Sequence, residues 1–124
     1  MYLVKKISIK ESKECHEIDL MTTRLWNLKQ WEIELSKEYV YAFACFKSYR
    51  IIGVCVFQKI FCNAELIYLS IHPTFKRKGL GKKLLKETLK KCKSFAIEKI
   101  ILEVSETNLA AINFYRSFGF ETVS

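Results

Sequence analysis

The sequence predicts one α/β domain built around a mixed β-sheet, and three observations support this prediction. The chain has 124 residues, which is the usual size of a single domain. Half of the residues are apolar, so a substantial core can form. Strand-like and helix-like stretches alternate in the second half of the chain, and a strand–helix–strand order places two parallel strands in one sheet.

The N-terminal half is predicted to contain a strand, two helices and a hairpin. "YLVKKISI" alternates weakly and indicates an opening strand. Residues 12–25 have a helical pattern with Ser12 as N-cap, and "NLKQWEIEL" predicts a second helix capped by Asn27. "YVYAFACFK" and "RIIGVCVFQKI" are rich in β-branched and aromatic residues, and the short "SYR" between them predicts a β-hairpin.

The C-terminal half continues the alternation. "AELIYLSI" predicts a strand that ends before His72 and Pro73, and a helix follows from Leu80, where leucines recur at helical spacing. "KIILEV" predicts a strand, residues 108–118 a helix closed by Gly119, and "FETV" a short last strand. The complete order is βααβββαβαβ, and the crossover between the parallel strands should be right-handed.

Composition argues against several classes of protein. No run of 18 apolar residues is present, and the N-terminus lacks the pattern of a signal peptide, so we expect a cytoplasmic protein with no membrane span. The five cysteines and two histidines form no C-x-x-C pair and no ligand spacing, which argues against a metal site or a disulfide framework. Cys45 and Cys55 lie in apolar runs and are expected in the core.

The positive charge of the chain is concentrated in one segment. Residues 76–93 contain nine lysines and arginines and one acidic residue, which accounts for the whole net charge of +8. The rest of the chain is neutral overall. This segment is therefore expected to meet an anion.

The segment begins with "KRKGLGKK", between a predicted strand and a predicted helix. Glycine allows a ligand to approach the backbone closely, and the first N–H groups of a helix lack intrahelical partners. Together with the helix dipole and the nearby basic side chains, they suit a phosphate or pyrophosphate. The pattern is neither a Rossmann fingerprint nor a Walker loop, and by itself it also fits a tight turn followed by a solvated helix face.

Two longer stretches carry a resemblance to a known family. "LSIHPTFKRKGLGKKLL" and "ILEVSETNLAAINFYRSFGFE" together resemble the GCN5-related N-acetyltransferase (GNAT) superfamily, and within it the ribosomal-protein alanine acetyltransferases, the RimI-like group. The resemblance covers residues 26–121 and is strongest from residue 66. It implies the GNAT fold. Lys76 stands where the family usually has arginine or glutamine.

The resemblance implies that acetyl-coenzyme A is the cosubstrate and that no metal is needed. In the family, the glycine loop holds the pyrophosphate, the preceding strand pairs with the pantetheine arm, and an N–H of that strand, here at Ile71, polarises the thioester carbonyl. The positions that match the family's cofactor site are Leu69, Ser70, Ile71, Lys76, Arg77, Lys78, Gly79, Leu80, Gly81, Lys82 and Asn108.

Two catalytic residues are implied in the same way. Glu103 matches the general base that removes a proton from the acceptor amine, although its pattern alone indicates a surface carboxylate. Tyr115 matches the tyrosine that donates a proton to the leaving thiolate, although its periodicity alone indicates a core residue. His72 is expected to be structural, and Trp26 and Trp31 are expected to pack in the core.

The chain departs from the family near its C-terminus. Similar enzymes continue beyond "GFE" with a further strand that lines the acceptor site, whereas this sequence reaches Ser124 soon after. We therefore expect the final strand or hairpin to be missing, with an open sheet edge. A homodimer in which a partner chain supplies this segment is one expectation, and altered specificity or a truncated copy are the others.

The leading hypothesis is direct acetyl transfer to the N-terminal α-amine of a protein, such as the alanine of a ribosomal protein. A small-molecule amine as acceptor is an alternative, and so is a non-catalytic coenzyme A-binding protein. A nucleic-acid- or ribosome-binding module is a further alternative, but it is disfavoured because residues 76–93 contain no aromatic side chain.

Overall fold

Five strands form one mixed sheet and follow one another across it in chain order. The computed structural model describes residues 1–93 and 99–102, together with Asn113 and Arg116. The strands are β1 (Tyr2–Ile7), β2 (Val40–Lys47), β3 (Arg50–Ile60), β4 (Asn63–Ile71) and β5 (Lys99–Leu102). The first four pair antiparallel, and β4 pairs with β5 in parallel. The predicted mixed sheet is confirmed.

Within residues 1–93, three α-helices cover the two faces of this sheet. They are α1 (Ser12–Leu20), α2 (Leu28–Ser36) and α3 (Leu80–Lys93). Alternate residues of β2 face opposite cores: Ala42 and Ala44 pack with residues of α1 and α2, whereas Phe43 and Cys45 pack with the leucines of α3. The sheet is therefore the middle of three layers. In the described part of the chain, no helix is both long and apolar enough to cross a membrane.

The strands contain one tight turn and one bulge that matter for the site. The predicted hairpin is confirmed, with a turn of only Ser48 and Tyr49, both of which have positive φ, as a type I′ turn requires. Between β3 and β4, Val56 pairs with Tyr68 and Phe57 pairs with Leu66, so Ile67 of β4 is an extra residue without a partner position on β3. This bulge changes the register of the C-terminal half of β4.

The boundaries of α1 differ from the prediction. Ser12 is not its N-cap, because the Ser12 hydroxyl donates to the carbonyl of Ile9 at 2.7 Å inside a preceding 3₁₀ turn, Ile9–Glu11. Ser8 and Glu11 form a capping box at the start of that turn. The helix also ends at Leu20, five residues earlier than predicted, because the residues that follow bond back to Asp19.

Asp19 is a fully buried carboxylate that holds the connection between α1 and α2. Its Oδ1 accepts from the Leu25 N–H at 2.9 Å and from the Thr23 hydroxyl at 2.7 Å. Its Oδ2 accepts from the Trp26 N–H at 2.8 Å and from the Trp31 indole at 3.0 Å. Burial by itself would raise the pKa of this carboxyl, but the hydrogen bonds outweigh burial and hold the pKa below its usual range.

Two other expectations from the sequence are confirmed. Asn27 caps α2, since its side chain accepts from the Gln30 N–H at 2.8 Å while the Gln30 side chain accepts from the Asn27 N–H at 2.9 Å. Cys45 and Cys55 are buried in the core. The predicted C-terminal helix, Gly119 and the last strand lie outside the described residues, apart from Asn113 and Arg116, which are helical.

Replacing Asp19 with asparagine should lower the free energy of unfolding by about 2–4 kcal/mol at pH 7. An amide has one acceptor oxygen, and its NH₂ group would have to face at least one backbone or indole N–H. Urea denaturation measures the loss, and Glu17→Gln, which removes an exposed carboxylate from the same helix, is the control.

The difference between Asp19→Asn and the unmodified protein should also depend on pH. Because the folded-state pKa of Asp19 is lowered, its stabilisation is fully present above the unfolded pKa of about 3.9 and disappears as the pH falls through the folded value. Equal stability of the two proteins at pH 7 would show that Asp19 does not hold this connection.

Candidate active site

The first turn of α3 presents free backbone donors beside a cluster of cations. The first α-helical bond of α3 runs from the Lys83 N–H to the Gly79 carbonyl at 3.1 Å. The N–H groups of Leu80, Gly81 and Lys82 precede that bond and therefore have no acceptor within the helix. This arrangement suits an anion.

The chain reaches this helix through a sharply folded loop. His72 begins a 3₁₀ turn, Pro73–Phe75, and its Nδ1 accepts from the Thr74 N–H at 3.1 Å. Arg77 and Gly79 then have φ values of +64° and +73°. A Cβ atom at Gly79 would meet no other atom within 4 Å, so only its backbone conformation favours glycine there.

A cavity of about 780 Å³ opens at this helix start and extends along β4 towards the end of α1. Its volume lies within the range of ordinary ligand pockets. Nine of the ten described residues predicted to bind the cofactor line it, in two groups. The strand residues are Leu69, Ser70 and Ile71, and the loop and helix residues are Lys76, Arg77, Gly79, Leu80, Gly81 and Lys82.

Lys78 is the described residue that does not follow the prediction. It is exposed and absent from the cavity lining, and its Nζ lies 5.6 Å from the centroid of the Phe75 ring. Glu103, Asn108 and Tyr115 lie outside the described residues.

The wall along β4 combines an apolar edge with a buried pair of hydroxyls. Leu69 and Ile71 pack towards the core under α3, whereas Tyr68 and Ser70 are buried on the opposite side of the strand. The Tyr68 and Ser70 hydroxyl oxygens are 2.6 Å apart. Burial raises the pKa of the Tyr68 phenol, so it remains protonated as a hydrogen-bonding group.

The far wall was not predicted from the sequence. Met21, Thr22 and Thr23, at the end of α1, line the cavity opposite the glycine loop. Thr22 donates its hydroxyl to the Ile18 carbonyl at 2.8 Å, and Thr23 donates to Asp19. The sequence feature that could have indicated this wall is the pair of threonines shortly after Asp19. Such a pair is common in proteins without a cavity, so it does not predict one.

The tryptophans stabilise this wall from behind. Trp31 is fully buried, and Trp26 packs edge-on against it with ring centroids 4.7 Å apart. Both rings also contact the Tyr68 ring, at 5.7 and 4.8 Å. The expected packing role of both tryptophans is confirmed.

The electrostatics of the cavity divide it into two ends. Lys76, Arg77 and Lys82 surround the end at the helix start, whereas the end at α1 is neutral and lined by hydroxyl and apolar side chains. No carboxylate lines the described part of the cavity. The arrangement suits an elongated ligand that has an anionic part and a neutral part.

The sequence matches the acetyltransferase (GNAT) family over residues 6–120. The chain belongs to this family. Among curated proteins it is similar to the [ribosomal protein bS18]-alanine N-acetyltransferase of Salmonella typhimurium, with 32% identity over 71 residues. These residues cover 57% of this chain and 48% of that protein. The Escherichia coli K12 protein of the same name is 26% identical over 95 residues, which cover 77% of this chain and 64% of that protein. The chain thus spans about half to two thirds of the length of these relatives.

Solved structures of family members share the fold. The ribosomal-protein-S18-alanine N-acetyltransferase of Escherichia coli superposes with a TM-score of 0.93 at 22% identity, over all of this chain and 80% of that one. An aminoglycoside acetyltransferase from an uncultured soil sample superposes with a TM-score of 0.81 at 16% identity, over 99% of this chain and 92% of that one. The GNAT fold predicted from the sequence is confirmed.

The conformation of Gly79 can be tested by a matched pair of substitutions. Gly79→Ala should lower the free energy of unfolding by about 1–2 kcal/mol, because alanine is disfavoured at positive φ. Gly79→Asn should recover most of this loss, since asparagine tolerates the left-handed region. Chemical denaturation of the three proteins measures both effects. If alanine and asparagine cost the same, the positive φ is not what constrains this position.

Proposed function

We propose that the protein is an acetyl-coenzyme A-dependent N-acetyltransferase whose acceptor is the α-amine of a protein N-terminus. The observation that carries this proposal is a single cavity that joins a cationic helix start, a strand wall and a neutral acceptor end. Family membership supports acetyl transfer, and the names of the curated relatives support a ribosomal protein as acceptor.

The described residues fit the cosubstrate chemically. Coenzyme A carries a pyrophosphate, and the free N–H groups at the start of α3, beside Arg77 and Lys82, are donors of the kind that bind phosphate oxygens. Its pantetheine arm has amide groups that can bond to the backbone of an extended strand, and Leu69, Ser70 and Ile71 offer that backbone at the cavity wall. A solved aminoglycoside acetyltransferase of the same fold, AAC(6')-Iy, was crystallised with coenzyme A.

The charge of the cavity favours a protein N-terminus over an aminoglycoside. An aminoglycoside is polycationic and requires carboxylates to neutralise it, whereas the described lining contains cations and no carboxylate. An alanine N-terminus has one ionisable group and a methyl side chain, which suits the neutral surface of Met21, Thr22 and Thr23. An α-amine also loses its proton near pH 7.7–8.0, compared with about 10.4 for lysine, so it requires less from a base.

The chemical step needs three groups from this chain. In our proposal the carboxylate of Glu103 accepts a proton from the acceptor amine, directly or through water, and the neutral nitrogen then attacks the acetyl carbonyl. The Ile71 N–H donates to the oxygen that becomes negative in the tetrahedral intermediate. The Tyr115 hydroxyl gives its proton to the sulfur as the C–S bond breaks. The attacking nitrogen loses its second proton as the amide forms, and a proton returns to the Tyr115 phenolate. Asn108 is proposed to contact the cosubstrate near its reactive end. These roles follow from the family motif.

The acceptor class can be measured with three substrates of different chemistry. A peptide with a free N-terminal alanine should be acetylated, whereas the same peptide with a blocked N-terminus and an internal lysine, and an aminoglycoside, should react at least about tenfold more slowly. Mass spectrometry identifies the modified amine. Preferential acetylation of the aminoglycoside would contradict the proposed acceptor but not acetyl transfer.

A control variant separates cosubstrate binding from folding. Gly81→Val places a branched side chain beside the free N–H groups of α3 and should abolish acetyl-coenzyme A binding in calorimetry while circular dichroism stays unchanged. Unchanged affinity in a folded variant would refute the assignment of the helix start as the pyrophosphate site.

The base can be tested through its pH dependence. Glu103→Gln should lose about 10²–10⁴-fold in turnover near pH 7 and recover part of it at alkaline pH, where the acceptor is already neutral. For an α-amine the recovery should begin near pH 8, and for a lysine only near pH 10. An equal deficit at every pH would assign Glu103 a positioning role, and full activity would remove it from the mechanism.

A further inference from the structure

Charge is distributed unevenly among the elements of the fold. Residues 8–38, which include α1 and α2, contain five basic and seven acidic residues. Strands β1, β2 and β3 together with residues 76–93 contain fourteen basic residues and one acidic residue, Glu87. The excess charge of the protein therefore lies in the sheet and the α3 layer, and only part of it is needed at the cavity.

The fold also brings aromatic rings to these cations. Lys6 Nζ lies 5.2 Å from the Tyr41 ring centroid, and Lys47 Nζ lies 5.7 Å from that of Tyr2. Both tyrosines are partly exposed and pack against the core under α3, where Tyr41 also stacks on Phe57 with ring centroids 5.4 Å apart. On α3 itself, Lys91 Nζ lies 5.9 Å from the ring of Phe43 on β2, which is buried. The neighbouring strands therefore bring rings to the cations of residues 76–93, and these rings orient the lysines more than they offer open stacking faces.

Tyr49 extends this arrangement at one end of the sheet. It is 96% exposed and stands in the two-residue turn between Lys47 and Arg50. Lys47 pairs in register with Tyr2, so the turn continues the row of rings and cations beyond the strands. An exposed ring between two cations offers a stacking surface and charge together.

We propose that this surface binds single-stranded nucleic acid. We call it the basic–aromatic face, and it consists of Tyr2, Lys6, Tyr41, Lys47, Tyr49 and Lys91. Recognition of single strands uses two elements: lysines that neutralise phosphates, and rings that stack on unpaired bases. None of its residues lines the cavity of the proposed acetyltransferase site, and the two border each other at Lys47, whose Nζ lies 5.2 Å from the ring centroid of the lining residue Phe75.

A membrane surface fits this face less well. Peripheral membrane helices insert large apolar side chains between the lipids. The large apolar residues exposed on the described part of the protein include none from α3, whose leucines at positions 80, 84 and 85 are buried. An acidic peptide also fits this face less well, because a lysine cluster alone would bind it and the rings would have no role.

The first test uses two matched aromatic residues. Tyr49 and Phe61 both occupy two-residue hairpin turns with positive φ, and they are 96% and 91% exposed at opposite ends of the sheet. Fluorescence anisotropy with labelled 12-nucleotide oligouridine RNA and oligothymidine DNA measures binding. Tyr49→Ala should weaken binding by about 5- to 100-fold, and Phe61→Ala by less than twofold. Equal effects of the two substitutions would overturn the proposal.

The second test removes the same number of charges from each side of the sheet. A triple variant, Lys6→Gln, Lys47→Gln and Lys91→Gln, should reduce the slope of log affinity against log salt concentration by about 2. The matched variant Lys10→Gln, Lys13→Gln and Lys29→Gln should leave the slope nearly unchanged. Equal loss in both variants would attribute binding to net charge alone and overturn the proposal.

Competition separates nucleic acid from other polyanions. Inorganic polyphosphate and phosphatidylserine vesicles should displace the labelled oligonucleotides only at much higher phosphate concentration, because they lack bases. Displacement at equal phosphate concentration would overturn the assignment to nucleic acid. Calorimetry with acetyl-coenzyme A on each variant should give unchanged affinity, which keeps this result separate from the outcome for acetyl transfer.

Discussion

The buried carboxylate of Asp19 is the constraint on which one wall of the candidate site depends. A buried charge is costly unless its oxygens are well paired, and here both oxygens accept two hydrogen bonds each. The donors come from the following seven residues of the chain and from the Trp31 indole. Satisfying the charge therefore determines where α1 ends, how the chain turns, and where Thr22 and Thr23 meet the cavity.

Strand β4 connects this wall to the glycine loop. Its alternating side chains belong to different cores, with Tyr68 packed against the two tryptophans and Leu69 packed on the side of α3. The C-terminal end of β4 is thus fixed from both faces of the sheet. The cavity lies where the two layers meet, and its shape depends on both cores rather than on the glycine loop alone.

The sequence was sufficient for the features that depend on neighbouring residues. The cap of α2 at Asn27 and the start of α3 at Leu80, directly after the glycine loop, follow from local chemistry, and the structure has them where they were predicted. The end of α1 and the Tyr68–Ser70 pair could not be predicted, because they depend on which polar side chains the packing buries. Asp19 is buried and collects donors from the residues that follow it, and the two hydroxyls meet on the buried face of β4. The basic–aromatic face could not be predicted either. Its rings come from β1, β2 and the turn after β2, whereas Lys91 comes from α3, and only the fold brings these elements together.

The two halves of the cavity are built in different ways, and this affects how acceptor specificity can vary within the fold. The proposed cosubstrate half of the cavity is built from residues 69–82, in which a strand, a loop and a helix start follow one another directly. The proposed acceptor half is built from a helix end that Asp19 holds in place and from the aromatic residues behind it. Changes in the α1–α2 connection can therefore alter the acceptor surface without disturbing the helix start. Solved structures named as ribosomal-protein and aminoglycoside acetyltransferases share this fold at low identity.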